Sequence, residues 1–286
     1  MGTGALGSEI SPKSDPATAG RNSKSAEVDL ALCRSALYEA LALGFLAPTA
    51  ETISRLASSE GVEALADAAA VLDDAWNTGL ADLVRRTSAP QPLCSLAALE
   101  ASFRRLFGHT ARGLVPPYET EYGEDSLFLP LQEMSDLAGF CHAFGLGLRP
   151  SEHERIDHIA CECEFMLFLA RKKAYALVTD NATMLEETRR ATRLFLKDHL
   201  GGWAPAFGRR LAREDRGGFY GALGELLTVF VTHECARVGV PAGPELLHLR
   251  STSLGDAPMA CGSGDELLQI ETSASAGGQE RMTNDQ

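Results

Sequence analysis

From Pro150 to Asp180 the chain reads PSEHERIDHIACECEFMLFLARKKAYALVTD. A polar, mixed-charge opening, Ser151 to His158, leads into about six helical turns that contain neither Gly nor Pro. Ile156, Ile159, Cys163, Met166, Ala170, Ala174 and Leu177 recur at spacings of three and four, which is one helical stripe. Phe165, Phe168 and Leu169 fall on the other side of the same helix. A helix that is apolar on both sides through its middle belongs inside a bundle. Asp157, Glu164 and Arg171 keep a narrower polar strip. The expectation is a central helix that starts at Ser151 or Glu152 and carries ionisable groups in its first turn.

Three readings of that first turn compete. In the first it is only a helix start: Ser151 or Glu152 caps it, acids favour its positive end, and Glu154 pairs with His158 four residues on. In the second it is a metal site, since His153-Glu154 and His158 are one residue off H-E-x-x-H. Five residues rotate about 140° beyond a full turn, so the two rings of a regular helix do not face one ion. In the third it recognises a partner.

The rest of the chain reads as helix after helix. Of 286 residues 45% are hydrophobic, enough for a sizeable core. Residues 1–26 are poor in large apolar side chains and are expected to form a disordered tail, as are residues 255–286. Between them residues 27–254 form one helical domain of about eight to ten helices. Leu30, Cys33, Leu37, Leu41 and Phe45 stripe a helix from Glu27 to Leu46. Residues 49–88 hold two or three more. Ser95 caps a helix ending at Phe107. Helices follow over Leu131–Leu146, Thr183–Leu200, Trp203–Arg213 and Gly217–Val238, with Gly201-Gly202 as the break between the second and third. No alternating strand pattern or hairpin signal occurs.

Gly108–Pro130 is different. It is a long connection with Pro116, Pro117 and Pro130, and it carries Tyr118, Glu119, Glu121, Tyr122, Glu124 and Asp125. Long ordered loops inside a domain tend to be functional. Two aromatics and four acids suit a basic, partly apolar ligand. The formal net charge of −13 argues against nucleic acid and suits a basic partner segment. Seven cysteines, Cys33, Cys94, Cys141, Cys161, Cys163, Cys235 and Cys261, include no C-x-x-C pair and read as reduced thiols of a cytoplasmic protein. No apolar run is long enough to span a membrane, and no signal peptide is evident. Motifs for a P-loop, G-x-S-x-G or H-E-x-x-H are absent, and no cofactor is expected.

Glu154-Arg155-Ile156-Asp157-His158-Ile159 resembles the E-x-P-D-H-I motif of the TorD/DmsD/NarJ family, cytoplasmic chaperones that mature molybdenum enzymes. Ile156 stands where the family has Pro. Phe103-Arg104-Arg105-Leu106-Phe107 fits the family's aromatic-x-x-Leu-Phe motif. Pro116-Pro117-Tyr118-Glu119-Thr120-Glu121-Tyr122 resembles its proline-aromatic-glutamate segment. Asp198-His199-Leu200 with Trp203, and Phe219-Tyr220, keep its spacing. These segments follow the family's order over about residues 30–240.

The resemblance implies an all-α chaperone, not an enzyme. It would bind the twin-arginine leader and apo form of a molybdopterin-containing catalytic subunit, as monomer or homodimer, until the cofactor is inserted and the subunit exported. The wording of 116–122 leans toward relatives serving periplasmic enzymes of heterotrimeric build. A leader with a basic head and an apolar body needs an apolar groove with acids at its rim. Tyr118, Glu119, Glu121, Tyr122, Glu154, Asp157 and His158 are the expected peptide-binding residues. The alternatives are a helical metal-dependent hydrolase using Glu154, Asp157 and His158, and a generic helical scaffold.

Overall fold

The apolar stripes become helices, and several begin where a short polar side chain takes up a first-turn N–H. Thr49 accepts from the N–H of Thr52, Ser58 from Gly61, Ser95 from Ala98 and Asn181 from Met184, at 3.0–3.2 Å. Each such cap contributes about 1 kcal/mol. The computed structural model of the chain describes residues 16–74, 77–87, 95–108, 112–125, 129–147 and 155–251. Within them run α1 (Pro16–Phe45), α2 (Ala50–Ala57), α3 (Ser59–Asp73), α4 (Leu80–Thr87), α5 (Leu96–Phe107), a 3₁₀ turn (Glu119–Glu121), α6 (Leu129–Ala143), α7 (Ile159–Val178), α8 (Ala182–Asp198), α9 (Leu200–Glu214) and α10 (Phe219–Arg237). The fold is all-α, as expected, and the described residues hold ten α-helices. Residues 252–286, and with them the whole of the expected C-terminal tail, lie outside the described residues.

The central pairings are α1 with α7 and α9 with α10. Leu37, Leu41 and Phe45 of the α1 stripe are fully buried. So are Ile159, Cys163, Met166 on one side of α7 and, within 2% of it, Phe165 and Leu169 on the other. That two-sided burial is what the sequence of α7 demanded. The Phe103-x-x-Leu106-Phe107 motif is packing: the Phe107 ring lies 4.9 Å from Phe103, 5.2 Å from Tyr220 and 6.3 Å from Phe207. Truncating a ring so placed costs about 3–5 kcal/mol.

Three of the differences from the sequence reading in where helices start and stop have a tertiary cause. α1 starts at Pro16 rather than Glu27. Around Lys24 and Glu27 it is tied by tertiary pairs that no local pattern shows: Lys24 with Asp180 at 2.5 Å, and Glu27 with Arg189 at 3.0 Å. Gly201-Gly202 do not stop a helix but lie in the first turn of α9. A Cβ on Gly201 would fall 2.6 Å from Cys235 Sγ, so the glycine permits a close approach to α10. Pro205 then sits inside α9 without an N–H to offer the Gly201 carbonyl, and Gly243 supplies that bond from outside at 2.8 Å. The third boundary, the start of α7, belongs to the site.

Among the described residues no helix is long and apolar enough to cross a membrane, and no three His, Cys, Asp or Glu side chains are placed to hold a metal ion.

Candidate functional site

Tandem prolines extend the chain at 116–118, and that extended piece decides where α7 begins. Pro117 accepts a hydrogen bond from the N–H of Ile159 at 2.8 Å, and the N–H of Glu119 donates to the Asp157 carbonyl at 2.9 Å. Tyr118 and His158 thus form an antiparallel bridge. The expected helix start at Ser151 or Glu152 is corrected by this pairing: His158 is the N-cap and Ile159 the first helical residue. Residues 155–158 form a turn that is held both to the loop and, through His158, to the helix it precedes.

The turn's side chains seal the joint. Asp157, fully buried, accepts from Thr120 Oγ1 at 2.7 Å, from Arg155 Nε at 3.0 Å and from Arg155 Nη2 at 2.7 Å. Hydrogen bonds to a charged group contribute about 1.5–3 kcal/mol each. Arg155 also lies over the Tyr118 ring, 4.5 Å from its centre. His158 is 1% exposed, and its Nδ1 accepts from the N–H of Ala160 at 3.1 Å, which requires that nitrogen to be unprotonated. Burial first, and then the charge of Arg155, lowers its pKa from 6.5 to about 4.

Beneath the loop lies a buried polar cluster. Glu119, 7% exposed, meets His199 Nδ1 at 3.1 Å, and Glu162 of α7 accepts from Trp203 Nε1 at 3.1 Å. Burial raises the pKa of Glu119 and, with the charge of Glu119 added, carries Glu162 well above the ordinary carboxylate range. Tyr122 donates its hydroxyl proton to the Pro116 carbonyl at 2.9 Å and packs 5.2 Å from Trp203.

The loop's other edge is held by residues far along the chain. The N–H of Gly123 donates to His248 at 2.9 Å, and that of Arg250 to Glu121 at 2.8 Å. The guanidinium of Arg250 reaches the carbonyls of Thr120 and Glu124 at 2.8 and 3.0 Å, and both carboxylate oxygens of Glu133 on α6 at 2.8 and 2.9 Å. Glu121 pairs with Arg112 at 2.7 Å.

The joint borders an open groove of about 700 Å³, lined by Met134, Ala138, Cys141, His142 and Leu146 of α6 and its end, and by Arg155 and Ile156 of the turn. Its walls are mostly apolar, and Arg155, with a side chain 44% exposed, stands at its edge.

The model of the nitrate reductase delta subunit family matches residues 60–209, more than half of the chain and most of this site. The chain belongs to that family, the molybdoenzyme maturation chaperones of the TorD/NarJ kind. Over 138 residues, 48% of this chain and 60% of the relative, it is 30% identical to the chaperone protein TorD of Vibrio cholerae. It is 38% identical over 117 residues, 41% of the chain and 58% of the relative, to the selenate reductase assembly chaperone protein of Thauera selenatis. A perchlorate reductase assembly chaperone protein of Dechloromonas aromatica is 29% identical over 209 residues, 71% of the chain and 89% of that relative. The chain spans about three fifths of the length of the TorD relative.

Within this family member the expected binding residues have distinct places. Glu119, Tyr122, Asp157 and His158 are buried and turn inward on partners within the chain. Tyr118 and Glu121 are half-buried in the loop. Glu154 lies outside the described residues. Sequence reading missed Arg112, Glu133, Glu162 and Arg250. Glu162 was concealed by its place in an apolar helix, and Arg250 follows α10 in a stretch with no periodicity to mark it.

Proposed function

We propose that the protein is a maturation chaperone for a molybdopterin-containing oxidoreductase: it holds the apo catalytic subunit in the cytoplasm and binds its twin-arginine leader until cofactor insertion and assembly are complete. Family membership supports the chaperone role, and the names of two of the three relatives point to reductases as clients. The observation that carries the leader-binding part is the groove between α6 and the turn 155–158. It is open, apolar and large enough for several side chains of an apolar segment, as peptide grooves are. The acidic charge of the chain attracts the leader's basic head at long range.

In this reading the expected binding residues divide by role. Tyr118 and Glu121 contact the leader from the loop, and Glu154 adds an acid. Asp157, His158, Glu119 and Tyr122 hold the loop, the turn and α7 in the arrangement that forms the groove. The hydrolase alternative has less support: Asp157 and His158 are buried, with the carboxylate bound by Thr120 and Arg155 and Nδ1 by the Ala160 N–H.

The test is purification of the tagged protein from its native cells, followed by titration of the leader peptide of the molybdoenzyme subunit that comes with it. Ala138→Arg puts bulk and like charge into the groove at an exposed helix position, where substitutions usually stay within about 0.5 kcal/mol of stability. The expected result is at least tenfold weaker leader binding with an unchanged thermal midpoint. Equal affinity for the two proteins would remove the groove from the binding site, and a purification that brings no molybdoenzyme subunit would count against the client class.

A further inference from the structure

Away from the loop 112–125, a second cavity is enclosed by α1, α7, α8 and α10. Its volume of about 60 Å³ is several times the ~10–15 Å³ that one water needs. Ala31, Met166, Leu169 and Ala170 give it apolar walls, while Arg34, Lys173, Arg189 and Arg237 also line it. Side-chain exposure rises from 13% at Arg34 through 19% at Lys173 and 28% at Arg237 to 46% at Arg189, which places the mouth at Arg189.

Among the described residues two carboxylates answer these four cations. Glu234, almost wholly buried, accepts from Arg34 Nε at 2.8 Å and from Arg237 Nε and Nη2 at 2.7 Å each. Glu27 is shared between Arg189 at 3.0 Å and Lys173 at 3.6 Å. Four cations against two carboxylates leave a surplus of two positive charges in a space with apolar walls. Burial first, then the nearby Arg237 and Arg34, lowers the pKa of Lys173, as a positive potential with too few counter-charges would.

Tyr38 supplies a second, independent sign. It lines the same cavity and is fully buried, and its hydroxyl has no hydrogen-bond partner among the described residues. Burial and then the charge of Glu234, which lines the same cavity, raise its pKa. A buried hydroxyl without a partner costs about 1–3 kcal/mol, so an acceptor brought by a ligand would be rewarded.

We propose that this cavity binds a small aliphatic carboxylate. Its oxygens take the Tyr38 hydroxyl proton in a hydrogen bond and neutralise the surplus charge of Lys173 and Arg189. Its short hydrocarbon body rests on Ala31, Met166, Leu169 and Ala170. A hydrated dianion such as sulfate matches the charge and not the walls, because its remaining oxygens would lose water against methyl and methylene groups. The proposal does not depend on the leader-binding groove.

The test uses the full chain and sodium butyrate as probe, with sodium chloride and sodium sulfate at equal ionic strength as comparisons. Thermal midpoint and calorimetric titration are read for wild type, Tyr38→Phe, Lys173→Met and, as a control, Lys197→Met on the exposed side of α8. Butyrate is expected to raise the wild-type midpoint beyond either salt. Tyr38→Phe is expected to be at least as stable as wild type without ligand, and to bind butyrate about tenfold more weakly or worse. Lys173→Met should weaken binding and Lys197→Met should leave it intact. The proposal is overturned if butyrate stabilises no more than chloride, if sulfate binds as well as butyrate, or if Tyr38→Phe binds butyrate with wild-type affinity. Lower stability of ligand-free Tyr38→Phe would overturn it too, by showing that the hydroxyl is already satisfied.

Discussion

Acidification should loosen the start of α7 through one residue. His158 caps the helix through Nδ1 and is buried against Tyr118, 5.3 Å between ring centres. Burial and Arg155 hold its pKa at about 4, against 6.5 for an ordinary histidine. The unfolded chain therefore takes up a proton that the folded chain refuses across that interval. Stability from this residue is complete above pH 6.5 and is lost as pH falls toward about 4. A gap of about 2.5 pH units, at about 1.4 kcal/mol each, amounts to about 3 kcal/mol. For a chain of this size that is a midpoint shift of about 6–12 °C. The structural cause is specific, since a protonated Nδ1 points a donor at the Ala160 N–H and adds positive charge to the positive end of a helix. The comparison is with His158→Asn, which can cap and does not titrate. Denaturant unfolding of both proteins should be followed from about pH 7 to about pH 4. The variant should be the less stable at neutral pH, having lost the ring contact, and the difference should shrink by about 3 kcal/mol on acidification. Carboxylates elsewhere titrate in both proteins and cancel. A difference that stays constant across the range would refute the reasoning.

Two more outcomes follow from the same joint. Asp157→Ala should lower stability by about 3 kcal/mol, the low end for a broken buried pair because Arg155 is partly solvated; amide exchange at Glu119 and Ile159 should accelerate with it, and an unchanged midpoint would show that the turn does not hold the loop. Glu162→Gln keeps an acceptor for Trp203 and removes an acid whose folded pKa is raised. Such an acid makes wild-type stability fall as pH rises from its unfolded value of 4.5 toward the raised one, so the variant should be the more stable at neutral pH and the two should converge below about pH 4.5. Parallel stability curves would contradict the burial argument.

The helices were legible because their signal is local. Apolar residues at spacings of three and four declare a buried face whatever the rest of the chain does, and the two-sided pattern of Cys163, Met166, Phe165 and Leu169 set α7 at the centre. Family motifs were legible for the same reason, as short strings in order. The site residues were legible as chemistry but not as orientation. Glu119, Asp157 and His158 read as groups that face a partner, and the fold turns them inward, onto His199, onto Thr120 and Arg155, and onto the Ala160 N–H. Those partners lie up to 80 residues away, and Arg250, which clasps the loop to Glu133, lies 130 residues from Thr120. The start of α7 was decided in the same way. A helix begins where its first N–H groups find acceptors, and here the acceptor for Ile159 is Pro117, which is distant in sequence and brought alongside by the tertiary fold.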